Sequence, residues 1–443
     1  MTAAERTTFK FLQFSDVLLD SKLTIGTASA QPGQLNCGYS LPRTERQERA
    51  REILETTINA FALAASENVD AVLIPGGLFE AATVSGYTIN TLIESIATIE
   101  HIPVYIAPGV ADYYTRSSLY AADMLQARGL KTWPKNVHIF SSEHFSAQPL
   151  PNKPQVNIIG RAITKGVRRT ERVLSGKLPK PAGSQINVAL LVGSLESHPQ
   201  IEGRVDSKSI LYPFSQQEME SMGMTYFALG HADSAFKVES ESGTTLGAYA
   251  GCLAAGTFDK PGARYALLGE IEVDEAGTVN CDLNPVEIDE RRMMVVTVDV
   301  SGLGDADIKE EIMVAVEYAE VRPEVDVVAL SLEGGCKPGA NPRKVADNLA
   351  PQFHCLLVVD NTRPDYLAER FDERTTEWKY IQAMLEMKTK AERTLNRMQS
   401  EHSSSDSLSG IPGTDLSGKT VEDALYYGLD ALRQKRVTIR NVG

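Results

Sequence analysis

Long apolar runs are missing from this chain. No stretch approaches the roughly 20 residues that cross a bilayer, so no membrane-spanning helix and no membrane partner is expected. Cysteine is scarce as well: Cys37, Cys252, Cys281, Cys336 and Cys355 are odd in number, widely scattered and in no CxxC pair. That spacing excludes a disulfide framework and a zinc knuckle. Positive charge is in deficit, with 44 Lys and Arg against 58 Asp and Glu and a net charge of -14. Such a balance argues against a surface that grips nucleic acid everywhere by counterion release, while a local basic groove stays open. Residues 1–8 are polar and carry no apolar signal-peptide core. The expectation is a soluble, cytoplasmic protein whose 443 residues suffice for two or three domains.

What is present is a repeated alternation of short apolar runs and helical periodicity. Residues 9–14 (FKFLQF) read as a first strand followed by Ser15-Asp16, and 21–42 as a polar, glycine-containing loop. Residues 43–67 place Ile53, Ile58, Phe61 and Ala65 on one helical face. The apolar run 71–74 reads as a buried parallel strand, broken by Pro75-Gly76-Gly77 where an α/β sheet presents its ligand-binding edge. A helix over 85–100 and a strand over 103–107 follow, the latter ending in Pro108-Gly109. Further strands over 137–140, 156–159, 188–192 and 226–229 end in small or polar turns such as Gly193-Ser194 and Gly230-His231. This order predicts an α/β sheet with its site along one edge. Strands without long helices up to 273 suggest a second, antiparallel layer, which closes a first domain at 1–287.

A smaller α+β domain is expected over 288–365, with strands at 293–300, 325–332 and 356–360 and a helix at 305–319. The remainder, 366–443, reads as a long helix over 373–399 bearing Trp378, Ile381, Leu385, Leu395 and Met398, then a polar linker over 401–418. A last helix is expected from Thr420, with Asp423 placed like a capping-box acid. Its stripe of Val421, Ala424, Leu425, Gly428, Leu429 and Leu432 needs a cover, either its own domain or a partner.

The strand ends collect a series: Ser15 to Asp20, Gly76 to Glu80, Pro108 to Asp112, Leu190 to Ser194, and Ala228 to Asp233. In order and framing residues the series resembles the calcineurin-like metallophosphoesterases of the SbcD/YhaO-type DNA-repair exonuclease branch. The phrases Tyr249 to Leu253, Gly256 to Asp259 and Leu425 to Leu432 resemble that branch too. The resemblance implies an α/β fold: a layered metallophosphoesterase β-sandwich flanked by helices, with a small α+β capping domain and C-terminal helices. It also implies chemistry by two metal ions, usually manganese, that bind a phosphodiester and activate water.

Against the family pattern, ligand after ligand is replaced. The first loop keeps Asp16 but has Leu18 for a histidine, and the second has Gly77 for the aspartate that bridges both metals. The third has Val110 and Ala111 for an asparagine and a histidine, keeping Asp112; the fourth has Val192 for a histidine; the fifth keeps His231 and has Asp233 for its second histidine. By resemblance, Asp16 and Asp233 would share one metal and His231 would serve the other. The residual metal candidates are therefore Asp16, His231 and Asp233, with no cofactor expected, or manganese if any metal binds.

Plainer roles stand beside these: Asp16 and Asp112 as turn residues, His231 as a buried histidine bonded to main chain. The reading that follows is a catalytically inactive homologue serving as a binding or assembly subunit. The resemblance implies an SMC-like coiled-coil ATPase as partner through the C-terminal helices, and a homodimer. One alternative is an active phosphoesterase or DNA exonuclease with a rebuilt site that recruits Asp20, Glu80 or His198. Another is DNA binding without cleavage through Arg161, Lys165, Arg168, Arg169 and Arg172, followed by Lys177 and Lys180, a charge run that reads equally as a solvated face.

Overall fold

The computed structural model describes residues 6–22, 43–164, 171–198, 210–258, 261–368, 371–401 and 418–434, leaving aside the side chains of 394–401, 418–419 and 434. Most of the loop at 21–42, the linker at 402–417, Asp259 and the cations Lys165, Arg168 and Arg169 lie outside the described residues, as do the side chains of Leu395 and Met398. Two compact units are formed, one ending at Met294 and the other beginning at Val295.

The first unit is a sandwich of two six-stranded mixed sheets. One sheet has the order β12-β11-β1-β2-β3-β4. Its strands are β1 (Thr7–Gln13), β2 (Ala71–Pro75), β3 (Val104–Ala107), β4 (Val137–Ile139), β11 (Tyr265–Val273) and β12 (Val279–Glu287). The strands β1 to β4 run parallel, and β11 joins β1 antiparallel. The second sheet has the order β5-β6-β7-β8-β10-β9, from β5 (Ser146–Leu150), β6 (Lys153–Gly160), β7 (Ile186–Val192), β8 (Tyr226–Gly230), β9 (Phe236–Glu239) and β10 (Thr245–Tyr249).

The sequence expectation of a separate antiparallel layer near 265 is corrected here. Strands β11 and β12 form a hairpin that extends the first sheet beside β1, and the second layer is the largely parallel β6-β7-β8-β10 sheet. The alternating burial of β11 explains the misreading, because a half-exposed hairpin gives the same pattern at a sheet edge as in a layer of its own.

Strict alternation sorts each strand's side chains into separate cores. Phe9, Phe11, Leu73 and Tyr105 meet Ile158, Val188, Tyr226 and Ala248 between the sheets. Leu12, Val72, Ile74 and Ile106 point the other way, under helices α1 (Arg43–Ser66) and α2 (Gly86–Ala97). Each such Leu or Ile contributes about 1.5–3 kcal/mol by leaving water. Helix α2 starts where Ser85 accepts the Thr88 N–H, and Ile89, Leu92, Ile93 and Ile96 form its buried face. The short α3 (Ala122–Ala127) follows on the same side. On the far face of the second sheet Leu191, Phe227 and Leu229 are covered by Leu174, Leu211, Phe214 and Met219 of α4 (Gln216–Met222). That helix begins with a Ser215–Glu218 capping box.

The second unit holds a three-stranded sheet, β13 (Met293–Asp299), β14 (Val327–Glu333) and β16 (Cys355–Asp360), with a two-stranded ladder of β15 (Gly335–Cys336) and β17 (Arg363–Pro364). Helices α5 (Asp305–Tyr318) and α6 (Pro342–Leu349) belong to it. So do α7 (Thr376–Glu401) and α8 (Gly418–Gln434), which pair through Ile381, Leu425, Leu429 and Tyr366. Helix α8 begins two residues before the expected Thr420, and Asp423 does not cap it. That carboxylate instead accepts Arg363 at 2.6 Å. The apolar stripe finds its cover inside its own unit, with Val421, Leu425 and Leu429 all buried.

Candidate functional site

Parallel strands end on a common side, so β1, β2, β3, β7 and β8 deliver their C-terminal loops to one edge of the sandwich. The five loops meet through main chain. Asp16 N–H donates to Gly76 O at 3.1 Å, Leu18 N–H to Gly77 O at 2.8 Å and Leu19 N–H to Leu78 O at 3.2 Å. Asp16, Leu18 and Asp20 adopt φ of 51°, 53° and 56°, a left-handed conformation that costs a non-glycine residue about 1–3 kcal/mol unless its surroundings enforce it. The bonds to the second loop supply that enforcement.

Glycines permit the closeness. A Cβ at Gly230 would lie 1.7 Å from Pro75 O, and one at Gly76 would lie 2.8 Å from Val192 Cγ2 and 3.0 Å from Gly109 Cα. At Gly77, with φ of +70°, a Cβ would lie 2.8 Å from both Cα and Oδ1 of Asp16. The structure thus brings together Asp16, Gly77, Val192 and the Gly109 turn.

Asp16 and Asp112 are both engaged. Asp16 Oδ2 accepts the His231 N–H at 2.7 Å and the Ser15 hydroxyl at 2.8 Å. Burial pushes the Asp16 carboxyl up to about 6, opposed by the nearby His231 and reinforced by Asp233. Asp112 is wholly buried: Oδ1 accepts the N–H groups of Gly109 at 2.7 Å and Gly77 at 3.0 Å, and Oδ2 accepts Leu78 N–H at 2.9 Å and the Tyr120 hydroxyl at 2.7 Å. Burial raises its pKa against the pull of those four donors, and burial together with the Asp112 charge pushes the Tyr120 hydroxyl well above its ordinary range. Sequence reading passed over Tyr120, since nothing in its neighbourhood marks it as a partner of the third loop. Ser15 stood next to Asp16 as a polar strand end and proves to hold its carboxylate.

Of the side chains considered as recruits, Asp20 and His198 are engaged by other residues. Asp20 Oδ2 accepts Ser85 N–H at 2.9 Å and the Thr88 hydroxyl at 2.7 Å, which commits it to the start of α2. The main chain of Glu80 pairs with Leu19, and His198 is buried edge-on to Phe236 and Tyr249 at ring distances of 4.7 and 5.2 Å. Asp233 offers its carbonyl to Cys252 N–H and to Arg264, while Leu18, Val110 and Ala111 are half-buried. Val110 packs on the outer core of the second sheet.

A pair of bridged metal ions does not fit these residues. Gly77 has no side chain and no room for one, and Asp16 spends an oxygen on His231 and Ser15. Among the described residues, Asp16, His231 and Asp233 do not form a set with one ligand atom each within 4.8 Å of the others.

Of the basic run, Arg161 lies between the rings of Phe145 and Tyr212, 5.5 and 5.4 Å from their centres, with burial lowering its pKa against nearby Glu171, Tyr212 and Glu143. Arg172 makes ion pairs with Glu218 at 2.6 Å and Glu196 at 2.8 Å. Lys177 and Lys180 are exposed. Acids thus answer both described arginines, a poor start for a phosphate-tracking groove.

No protein-family model matches the chain, and no curated protein matches its sequence. Among solved structures, TT1561 of Thermus thermophilus is similar with 11% identity and a TM-score of 0.31, over 62% of this chain and 99% of that one. A dimetal phosphatase from Danio rerio is similar with 11% identity and a TM-score of 0.34, over 63% of this chain and 99% of that one. Likeness at this level assigns no chemistry to the chain.

Proposed function

We propose that this chain is a non-hydrolytic relative of the SbcD-type metallophosphoesterases, retained as a binding or assembly subunit. The observation that carries the reading is Gly77 pressed onto Asp16 at the meeting of the five loops, where the family pattern calls for a bridging carboxylate. Two-metal hydrolysis requires ligands in fixed geometry around both ions. Here Leu18, Gly77, Val110, Ala111 and Val192 bring no ligand atom to the edge. The test is a manganese titration by calorimetry on protein purified without chelator, with a nuclease assay on linear duplex and single-stranded DNA. The reading expects neither stoichiometric heat nor cleavage; tight binding with cleavage that Asp16→Ala abolishes overturns it.

The partner in this proposal is an SMC-like coiled-coil ATPase that docks on α7 and α8. The buried stripe of α8 is already covered, so docking would use the faces that carry Met387 and Leu432, both about half exposed. Co-expression with such an ATPase, followed by gel filtration, tests it: co-elution lost in a Met387→Glu, Leu432→Glu double variant supports the interface, and separate elution of the two wild-type chains refutes it. A homodimer is part of the same proposal and is read by light scattering on the isolated chain.

A further inference from the structure

We infer that position 77 has become a main-chain packing site that excludes any side chain, so that the missing bridge cannot be restored by putting an aspartate back. The inference rests on reading the five loops as former ligand loops, and it goes further by stating what now holds the space. Three atoms of Asp16 wall off the position: Cα and Oδ1 at 2.8 Å from a Cβ on Gly77, and N at 3.1 Å. Two of the three are backbone, so no rotamer change at Asp16 clears the way. Nor is the first loop free to retreat. Its N–H groups at Asp16 and Leu18 are bonded to Gly76 and Gly77, and Asp16 is tied to His231 of the fifth loop. The second loop is fixed from its other side, where Asp112 accepts the N–H groups of Gly77 and Leu78 and the third loop comes so close that a Cβ on Gly109 would lie 3.0 Å from Gly76 Cα and Gly77 N. An aspartate at 77 would have to displace a loop held at both ends before it could reach any ion.

Backbone conformation and packing can be separated, because Gly129 has nearly the same φ, +66°, with no atom within 4 Å of the Cβ position. Both glycines lie in the first unit. Melting temperatures of the full-length wild type, Gly129→Ala and Gly77→Ala therefore read the left-handed penalty alone and that penalty plus crowding. Gly77→Ala is expected to melt roughly 5 °C or more below Gly129→Ala. Manganese calorimetry on Gly77→Asp is expected to give no stoichiometric heat. The inference is overturned if the two alanine variants melt together, or if Gly77→Asp takes up manganese stoichiometrically and loses it again on Asp16→Ala. Should Gly77→Asp fail to fold, the alanine comparison still decides. A wild type that itself binds manganese and cleaves DNA refutes the non-hydrolytic reading, whereas the alanine comparison reports on packing alone, so the two failures are distinct.

Discussion

Asp112 receives the N–H groups of Gly109, Gly77 and Leu78 and the Tyr120 hydroxyl, and so ties the second loop to the third. Removing that carboxylate leaves three main-chain donors without an acceptor in a buried place, and each orphaned group costs about 1–3 kcal/mol. Asp112→Ala is therefore expected to lower unfolding free energy by about 3 kcal/mol or more, measured by urea denaturation, with Asp112→Asn intermediate because it keeps one acceptor oxygen. In the sequence Asp112 reads as a turn residue or a survivor of a metal motif. Its work as a clamp depends on Gly77 and Tyr120, contacts across loops that no local pattern records. Gly77 stands in the sequence as a glycine in a strand-end turn, and its contact with Asp16 is recorded by no local pattern.

Among the elements, the strands that carry loops to the edge were legible because runs such as 71–74 and 188–192 are apolar on both faces, as strands buried between layers must be. The edge strands β5, β9 and β12 were not, since their half-exposed patterns resemble loops. The Ser215–Glu218 capping box is a local sequence signal for the start of α4. On β4, the His138 ring stacks on Tyr105 at 4.8 Å, and burial lowers its pKa from 6.5. The fold therefore favours neutral His138: below 6.5 the unfolded chain binds more protons, so this contribution is complete above that pH and is lost as pH falls through the folded value. His138→Phe keeps the stacking and is expected to flatten the fall in urea midpoint between pH 7 and pH 5.

Helix α8 offers a second check at this scale. Tyr366 donates to the buried Asp430 at 2.6 Å beneath the helix pair. Tyr366→Phe leaves that carboxylate short of a donor and is expected to cost about 1–3 kcal/mol. Hydrogen exchange read by mass spectrometry should show the loss as faster exchange in α8 with the first unit unchanged; unchanged exchange in α8 would refute the role given to this bond.

At the scale of the whole molecule, the sandwich and its single edge follow from strand order, whereas the fate of the chemistry rests on contacts among loops far apart in the chain. No helix among the described residues is long and apolar enough to cross a membrane. The architecture brings five loops together at one edge, and their meeting point holds glycine backbone and two carboxylates already engaged. The measurement that bears most directly on this is manganese calorimetry of the full chain, purified without chelator, run beside a cleavage assay on linear DNA. No stoichiometric heat and no cleavage is the expected result. Stoichiometric binding with cleavage, both abolished by Asp16→Ala, would contradict it.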